Sequence, residues 1–334
     1  GDMIKLNAME NPYRWPSDLV AEWLETLREV ELNRYPDAAA SQLKTSLRKR
    51  FSVPSGVSLM LGNGSDELIQ LIITTLQAKD CRVLAPVPTF AMYRHCSLVA
   101  GVSFESVPLE INFDLSHNAM LDAIATHKPA VVFLAYPNNP TGNLFNRDTV
   151  DEIIEASPGL VVVDEAYAPF TKHSYLNEVG QHPNLLVMRT LSKFGLAGLR
   201  LGFLVGPDHW LNEMEKLRLP YNVSTLTQVS AEFALEHHQV FDGQTRRICA
   251  SRERLFESLS AIDGITPYRS NANFILFRTA EGMADAIHAG LLERGVLIKN
   301  LNGTERGLED CLRVTVGTER EIEDFLSALN ATLL

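Results

Sequence analysis

The chain has 334 residues, 46% apolar and 21% charged, with 20 glycines and 16 prolines. That composition excludes a disordered, collagen-like or fibrous protein, and at about 100 to 200 residues per domain the length favours two domains. Lys and Arg number 30 against 41 Asp and Glu, a net charge of −11, and no basic run exceeds Arg48-Lys49-Arg50, which argues against a nucleic-acid partner. Four scattered cysteines make no CxxC pair, the amino terminus lacks a signal peptide's apolar stretch, and no apolar run approaches the roughly 20 residues of a membrane span. A cytoplasmic protein with no membrane association is expected.

Ser17 to Glu31 has the spacing of an amphipathic helix packed on a larger unit. From about 57 to 206, short apolar runs alternate with helical patterns of 10 to 15 residues, the signature of βαβ crossovers and a parallel sheet. The strands are expected at Ser58 to Leu61, Arg82 to Ala85, Ser103 to Val107, Ala130 to Tyr136, Leu160 to Val163, Leu185 to Arg189 and Gly202 to Val205. Helices are expected between them at Ser65 to Gln77, Thr89 to Ala100, Asn118 to His127 and Arg147 to Ala156.

Past residue 207 the pattern becomes helix-rich, at Trp210 to Arg218, Thr225 to His238 and Gly243 to Ile262. A smaller α+β unit follows, with strands at Phe274 to Phe277, Val296 to Lys299 and Leu312 to Val316, and helices at Gly282 to Arg294 and Glu319 to Leu329. The fold class is therefore α/β: a large domain over 30–225 with a mostly parallel sheet flanked by helices, and a smaller α+β domain from 1–29 and 226–334.

Lys193 lies among small residues just after a buried strand, in Arg189-Thr-Leu-Ser-Lys-Phe-Gly-Leu-Ala-Gly-Leu-Arg200. Alone it reads as a solvated surface cation; its weight comes from upstream partners. Val161-Val-Val-Asp-Glu-Ala-Tyr167 ends a strand in a carboxylate, and Tyr136-Pro-Asn-Asn-Pro-Thr-Gly142 follows another strand. Ligands bind at strand carboxyl ends in open α/β sheets, so Asn139, Asp164, Tyr167 and Lys193 can converge. This set suits pyridoxal 5′-phosphate: a lysine for its aldehyde, an Asp for its pyridine nitrogen, and Asn and Tyr for its phenolic oxygen. Gly62-Asn-Gly-Ser-Asp66, with Gly64, Ser65 and Asp66 at a helix start, offers a phosphate cradle; Thr190, Ser192 and Arg200 add donors. Phe90, in Pro88-Thr-Phe90, is an aromatic cover for the ring.

These motifs, in this order and spacing, resemble the fold-type I pyridoxal-phosphate aminotransferases. Leu6-Asn-Ala-Met-Glu-Asn-Pro12, Asn33-Arg-Tyr-Pro36, Gly64-Ser-Asp-Glu67 and Cys311-Leu-Arg-Val-Thr-Val-Gly-Thr318 resemble the histidinol-phosphate aminotransferase family in particular, and the likeness spans nearly the whole chain. The resemblance implies catalytic roles for Lys193, Asp164 and Tyr167. It also implies a homodimer in which Tyr35 reaches the partner's cofactor, and an anion site at Arg313 with Lys299 where many members carry a second arginine. Asn7 falls at a substrate-binding position, and the implied substrates are small amino donors and 2-oxo acids.

Other readings are weaker. Strand, Gly62-x-Gly64 and helix prompt a dinucleotide oxidoreductase, but Glu67 replaces the third glycine, and the next strand ends in Ala85-Pro86 rather than an acid. An idle pyridoxal-binding regulator would not need both Lys193 and Asp164. An aromatic amino-acid aminotransferase and an amino-acid-phosphate decarboxylase stay open. No metal is expected, since His237 and His238 are adjacent on a helix and point apart.

Overall fold

Runs of Val, Leu and Phe at successive positions need cover on both faces, and the chain supplies it. The computed structural model describes residues 3–78 and 80–333. A short strand β1 (Ile4–Lys5) and the helix Ser17–Arg28 lead into a seven-stranded sheet. Its strands are β2 (Ser58–Gly62), β3 (Arg82–Val87), β4 (Ser103–Pro108), β5 (Val131–Ala135), β6 (Leu160–Asp164), β7 (Leu185–Thr190) and β8 (Gly202–Gly206), in the order β2-β8-β7-β6-β5-β3-β4. The central strands β5 and β6 are buried at every position. Val132, Leu134, Val161 and Val163 face one core; Val131, Phe133, Leu160 and Val162 alternate into the other.

The sheet is mostly parallel, with one correction to the expectation for 57–206: β8 runs antiparallel to both β7 and β2. A parallel neighbour needs a crossover of a dozen or more residues, whereas β7 and β8 are joined by residues 191–201, two tight 3₁₀ turns. That loop carries Lys193. The edge strand β4 is half polar, with Glu105 paired to Arg82.

Two helices depart from the sequence pattern. Ser41–Phe51, rich in Lys and Arg, was not anticipated; it buries only Leu43 and Leu47, too narrow an apolar stripe to stand out. The long helix His238–Ser260 begins five residues before Gly243, the expected start. The helices Ser17–Arg28 and Thr225–Glu236 pack together, with Trp23 Nε1 donating to Ser230 Oγ at 2.9 Å, and add Leu19, Ala231 and Phe233 to the core under the large sheet.

The remaining strands are β9 (Thr266–Pro267), β10 (Phe274–Arg278), β11 (Val296–Leu297), β12 (Lys299–Asn300) and β13 (Cys311–Thr315). Four of them form the antiparallel sheet β12-β13-β10-β9 around a separate core that includes Phe274, Phe277 and Phe325. The fifth, β11, pairs in parallel with β1. This pairing, with Thr315 N–H donating to Leu6 O at 2.8 Å, anchors residues 7–10 beside the crevice between the sheets.

Candidate active site

The crevice opens at the carboxyl ends of β5, β6 and β7. There, β5 runs into Asn139, β6 ends in Asp164, and β7 ends in Thr190 just before the turn bearing Lys193. A cavity of about 370 Å³ brings together Phe90, Asn139, Asp164, Tyr167, Lys193 and Arg200, with Ser65, Asp66, Thr190 and Ser192 along its wall. Residues scattered over 136 sequence positions thus meet in one place, as expected.

The electrostatics of that cavity are unusual. Asp164 is 4% exposed. Its Oδ2 accepts from Tyr93 Oη at 2.7 Å and its Oδ1 from Ala166 N at 3.0 Å, and among the described residues no Lys or Arg pairs with it. Burial pushes its carboxyl up to about 6, with the Tyr93 bond pulling the other way. Lys193 is pushed down to about 8, first by burial and then by the Arg313 guanidinium. Its Nζ lies 5.8 Å from the centre of the Tyr167 ring. Burial raises the Tyr167 phenol, against the pull of Arg313, so it stays protonated and can donate.

The wall near the amino terminus of the helix Ser65–Thr75 is a cradle. No side chain caps that helix, so its first N–H groups are free to meet an anion. Gly64 has φ 85° and ψ 167°, a region nearly restricted to glycine, and a Cβ there would meet Arg200 Nη2 at 2.7 Å. A Cβ on Gly202 would lie 2.8 Å from Ser65 N. Arg200 donates to Asp66 Oδ2 at 3.3 Å, and Thr190 Oγ1 donates to Ser192 Oγ at 3.0 Å. Hydroxyls, a guanidinium and helix N–H groups around a space kept open by glycines fit a phosphate, and Asp164, a buried carboxylate without a cation, fits a pyridinium nitrogen.

A second cavity of about 490 Å³ adjoins the first and shares Met9, Phe90 and Asn139 with it. Arg313 and Lys299 line it, as directly paired neighbours on β13 and β12. Arg313 is 6% exposed and has no carboxylate partner among the described residues. Its Nη1 donates to Asn139 Oδ1, its Nη2 to Asn7 O at 3.4 Å, and its buried Nε has no partner. Asn7 therefore enters through its backbone carbonyl; its side chain lines neither cavity. Lys299 is exposed. Tyr35 lies outside both cavities, 81% exposed and stacked on Tyr221 with ring centres 4.6 Å apart.

Sequence reasoning missed Tyr93, Arg94 and the Met9–Glu10 backbone. Tyr93 follows Phe90 by three residues, the spacing that puts two side chains on one face of a helical turn, so the signal was present. Met9 and Glu10 come to the cavity through the pairing of β1 with β11 and through direct hydrogen bonds, Met9 N donating to Thr315 Oγ1 at 3.0 Å and Asn273 Nδ2 donating to Met9 O at 3.0 Å and Glu10 O at 3.3 Å. His237 and His238 do point apart: the first is 3.4 Å from Glu22 Oε2, the second 2.9 Å from Asp242 Oδ2.

A crevice at strand ends holding a depressed lysine, an unpaired aspartate and an anion cradle defines a class of enzyme, and residues 1–329 match the model of the family "Aminotransferase class I and II". The chain belongs to that family. It is 53% identical over 330 residues to "Histidinol-phosphate aminotransferase 2" of Nitrosococcus oceani, covering 99% of this chain and 92% of that protein. It is 46% identical over 336 residues to the protein of the same name from Cupriavidus pinatubonensis, covering 99% and 91%. Among solved structures, the histidinol-phosphate aminotransferase of Clostridium acetobutylicum matches with a TM-score of 0.89 at 23% identity over 98% of each chain. That of Sinorhizobium meliloti in complex with pyridoxal-5′-phosphate matches with a TM-score of 0.89 at 22% identity, over 99% of this chain and 91% of that one. These structures share the α/β fold with its mostly parallel sheet. Among the described residues, no helix is long and apolar enough to cross a membrane.

Proposed function

We propose that the chain binds pyridoxal 5′-phosphate and moves an amino group between L-histidinol phosphate and 2-oxoglutarate, as a cytoplasmic homodimer serving histidine biosynthesis. One observation carries this reading: three buried or largely buried charged groups, Asp164, Lys193 and Arg313, line connected cavities, and none has an ion-pair partner among the described residues. Isolated buried charges are costly, so such a set fits a ligand that brings the opposite charges. The relatives' names and their coverage of the whole chain point to the same substrates.

The bound cofactor supplies an electron sink for charge developing at the substrate's reacting carbon. Asp164 holds the proton on the ring nitrogen. Asn139, its Oδ1 occupied by Arg313, keeps its amide N–H groups to donate to the phenolic oxygen, and Tyr167 donates to the same oxygen. The Lys193 amine, with its affinity for protons reduced by burial, takes up and returns the proton of the reacting carbon at Nζ. Ser65, Asp66, Thr190, Ser192 and Arg200 form the phosphate cradle, and Phe90 covers the ring. Arg313, whose guanidinium lines the second cavity with no carboxylate partner among the described residues, binds the substrate's anionic end, and Lys299 adds a second charge.

Dimerisation rests on the surface near Tyr35. Leu32, Tyr35 and Leu219 are 72%, 81% and 72% exposed, and Arg218 ties the two segments together by donating to Ala38 O at 3.2 Å. Such an exposed apolar group suits a subunit interface, from which Tyr35 reaches the neighbour's phosphate cradle.

The test is a half-reaction panel. Loaded enzyme is mixed separately with histidinol phosphate, phenylalanine, threonine phosphate and glutamate, and the bound cofactor's absorbance is followed. Conversion by histidinol phosphate and glutamate is expected. Conversion by phenylalanine but not histidinol phosphate, or release of carbon dioxide from threonine phosphate, overturns the substrate.

A further inference from the structure

We infer that Tyr93 is a positioning residue that sets both the partner of the cofactor's ring nitrogen and the aromatic cover of its ring, through one hydrogen bond to Asp164 and one edge contact on Phe90. The inference deepens the pyridoxal phosphate reading and rests on it. Tyr93 sits on the helix Met92–Val99 with no exposed surface. Its ring lies flat on Phe133 of β5, with centres 4.7 Å apart and planes at 9°, and meets the Phe90 ring edge-on at 5.7 Å and 85°. Its hydroxyl donates to Asp164 Oδ2 at 2.7 Å.

Three features make this a device rather than packing. A buried hydroxyl costs free energy unless it is hydrogen-bonded, and a phenylalanine would fill the same space, so the oxygen is there for its partner. That partner is the cavity's one buried carboxylate without a cation. Tyr93 Oη on Oδ2 and Ala166 N on Oδ1 then hold the carboxyl plane from two sides, leaving the remaining lone pairs toward the cavity. Burial keeps the Tyr93 phenol protonated, so it always donates, which favours the charged form of Asp164 that a pyridinium needs. Finally, Phe133 fixes the Tyr93 ring to a central strand, so the angle of Phe90 is referred to the same strand bundle that places Asp164.

The test compares two cofactors on the loaded protein: pyridoxal phosphate, and its 1-deaza analogue with CH in place of the ring nitrogen. Retention of each is measured by dialysis against graded free cofactor for wild type, Tyr93→Phe, Asp164→Asn and the double variant, with a melting temperature for each. Wild type is expected to prefer pyridoxal phosphate. A hydrogen bond to a buried charge is strong enough that Tyr93→Phe should reduce this preference by about tenfold or more, and by nothing further when Asp164 is already Asn. An unchanged preference in Tyr93→Phe overturns the inference. Equal weakening for both cofactors also overturns it, because a merely structural tyrosine would act that way. Wild type that retains neither compound overturns the cofactor reading itself, and this inference with it.

Discussion

Gly64→Ala tests the phosphate cradle without removing any donor. The backbone there, φ 85° and ψ 167°, costs a non-glycine residue about 1–3 kcal/mol, so a melting temperature lower by several degrees is expected. The added methyl would also lie 2.7 Å from Arg200 Nη2, and the guanidinium, a flexible end, moves aside. The Arg200 to Asp66 pair that this disturbs is half exposed, and its loss costs little. The proposed contact from Arg200 to the cofactor phosphate is the one that matters, and at about 1.5–3 kcal/mol for a charged hydrogen bond its loss should weaken pyridoxal phosphate about tenfold to a hundredfold. Pyridoxal without its phosphate should bind Gly64→Ala as it binds wild type. Titration of both compounds, followed by absorbance, separates the effects. If both weaken equally, or neither does, the cradle is misplaced and the cofactor phosphate sits elsewhere.

Lys193→Ala should abolish transamination, and borohydride reduction of the loaded wild type followed by peptide mapping should label Lys193; label on another lysine refutes the assignment. In the cofactor-free protein the Lys193 amine should react with amine-directed reagents with a midpoint near pH 8, the neutral form growing as pH rises through it. For Asp164, the carboxyl ionises near 3.8 when unfolded and about 6 when folded. The fold retains the proton over that window, so the stability this residue lends is present below it and lost as pH climbs through about 6. Cofactor-free Asp164→Asn should therefore equal or exceed cofactor-free wild type in melting temperature above pH 6, while the loaded variant loses most of the activity of loaded wild type. Mixed dimers of Tyr35→Phe with Lys193→Ala should recover activity beyond either parent, since one composite site is then intact; no gain on mixing refutes the role of Tyr35 across the interface. Arg313→Ala should lower kcat/KM at least tenfold for both glutamate and histidinol phosphate, whereas Lys299→Ala should weaken the phosphate substrate more. Equal losses in Lys299→Ala would remove it from phosphate recognition.

The α/β class, the seven strands of the large sheet and the convergence of Asn139, Asp164, Tyr167 and Lys193 were all legible from residue patterns. Strand burial on both faces writes itself as continuous Val and Leu, and the ends of such strands are where polar residues become conspicuous. Three things were not legible. The reversal of β8 depends on the length and tight turns of residues 191–201, which hydrophobic periodicity does not encode. The helix Ser41–Phe51 buries so little that its pattern reads as polar surface. The charge balance of the site depends on distances: the family resemblance marks Arg313 as an anion site, but its contact with Asn139 and the hydroxyl of Tyr93 on Asp164 are visible only once the chain is folded. Local sequence carries propensity and period, which act over a few residues. Pairing of a buried charge acts through space between residues 71 or 174 positions apart, and only the folded chain makes those neighbours.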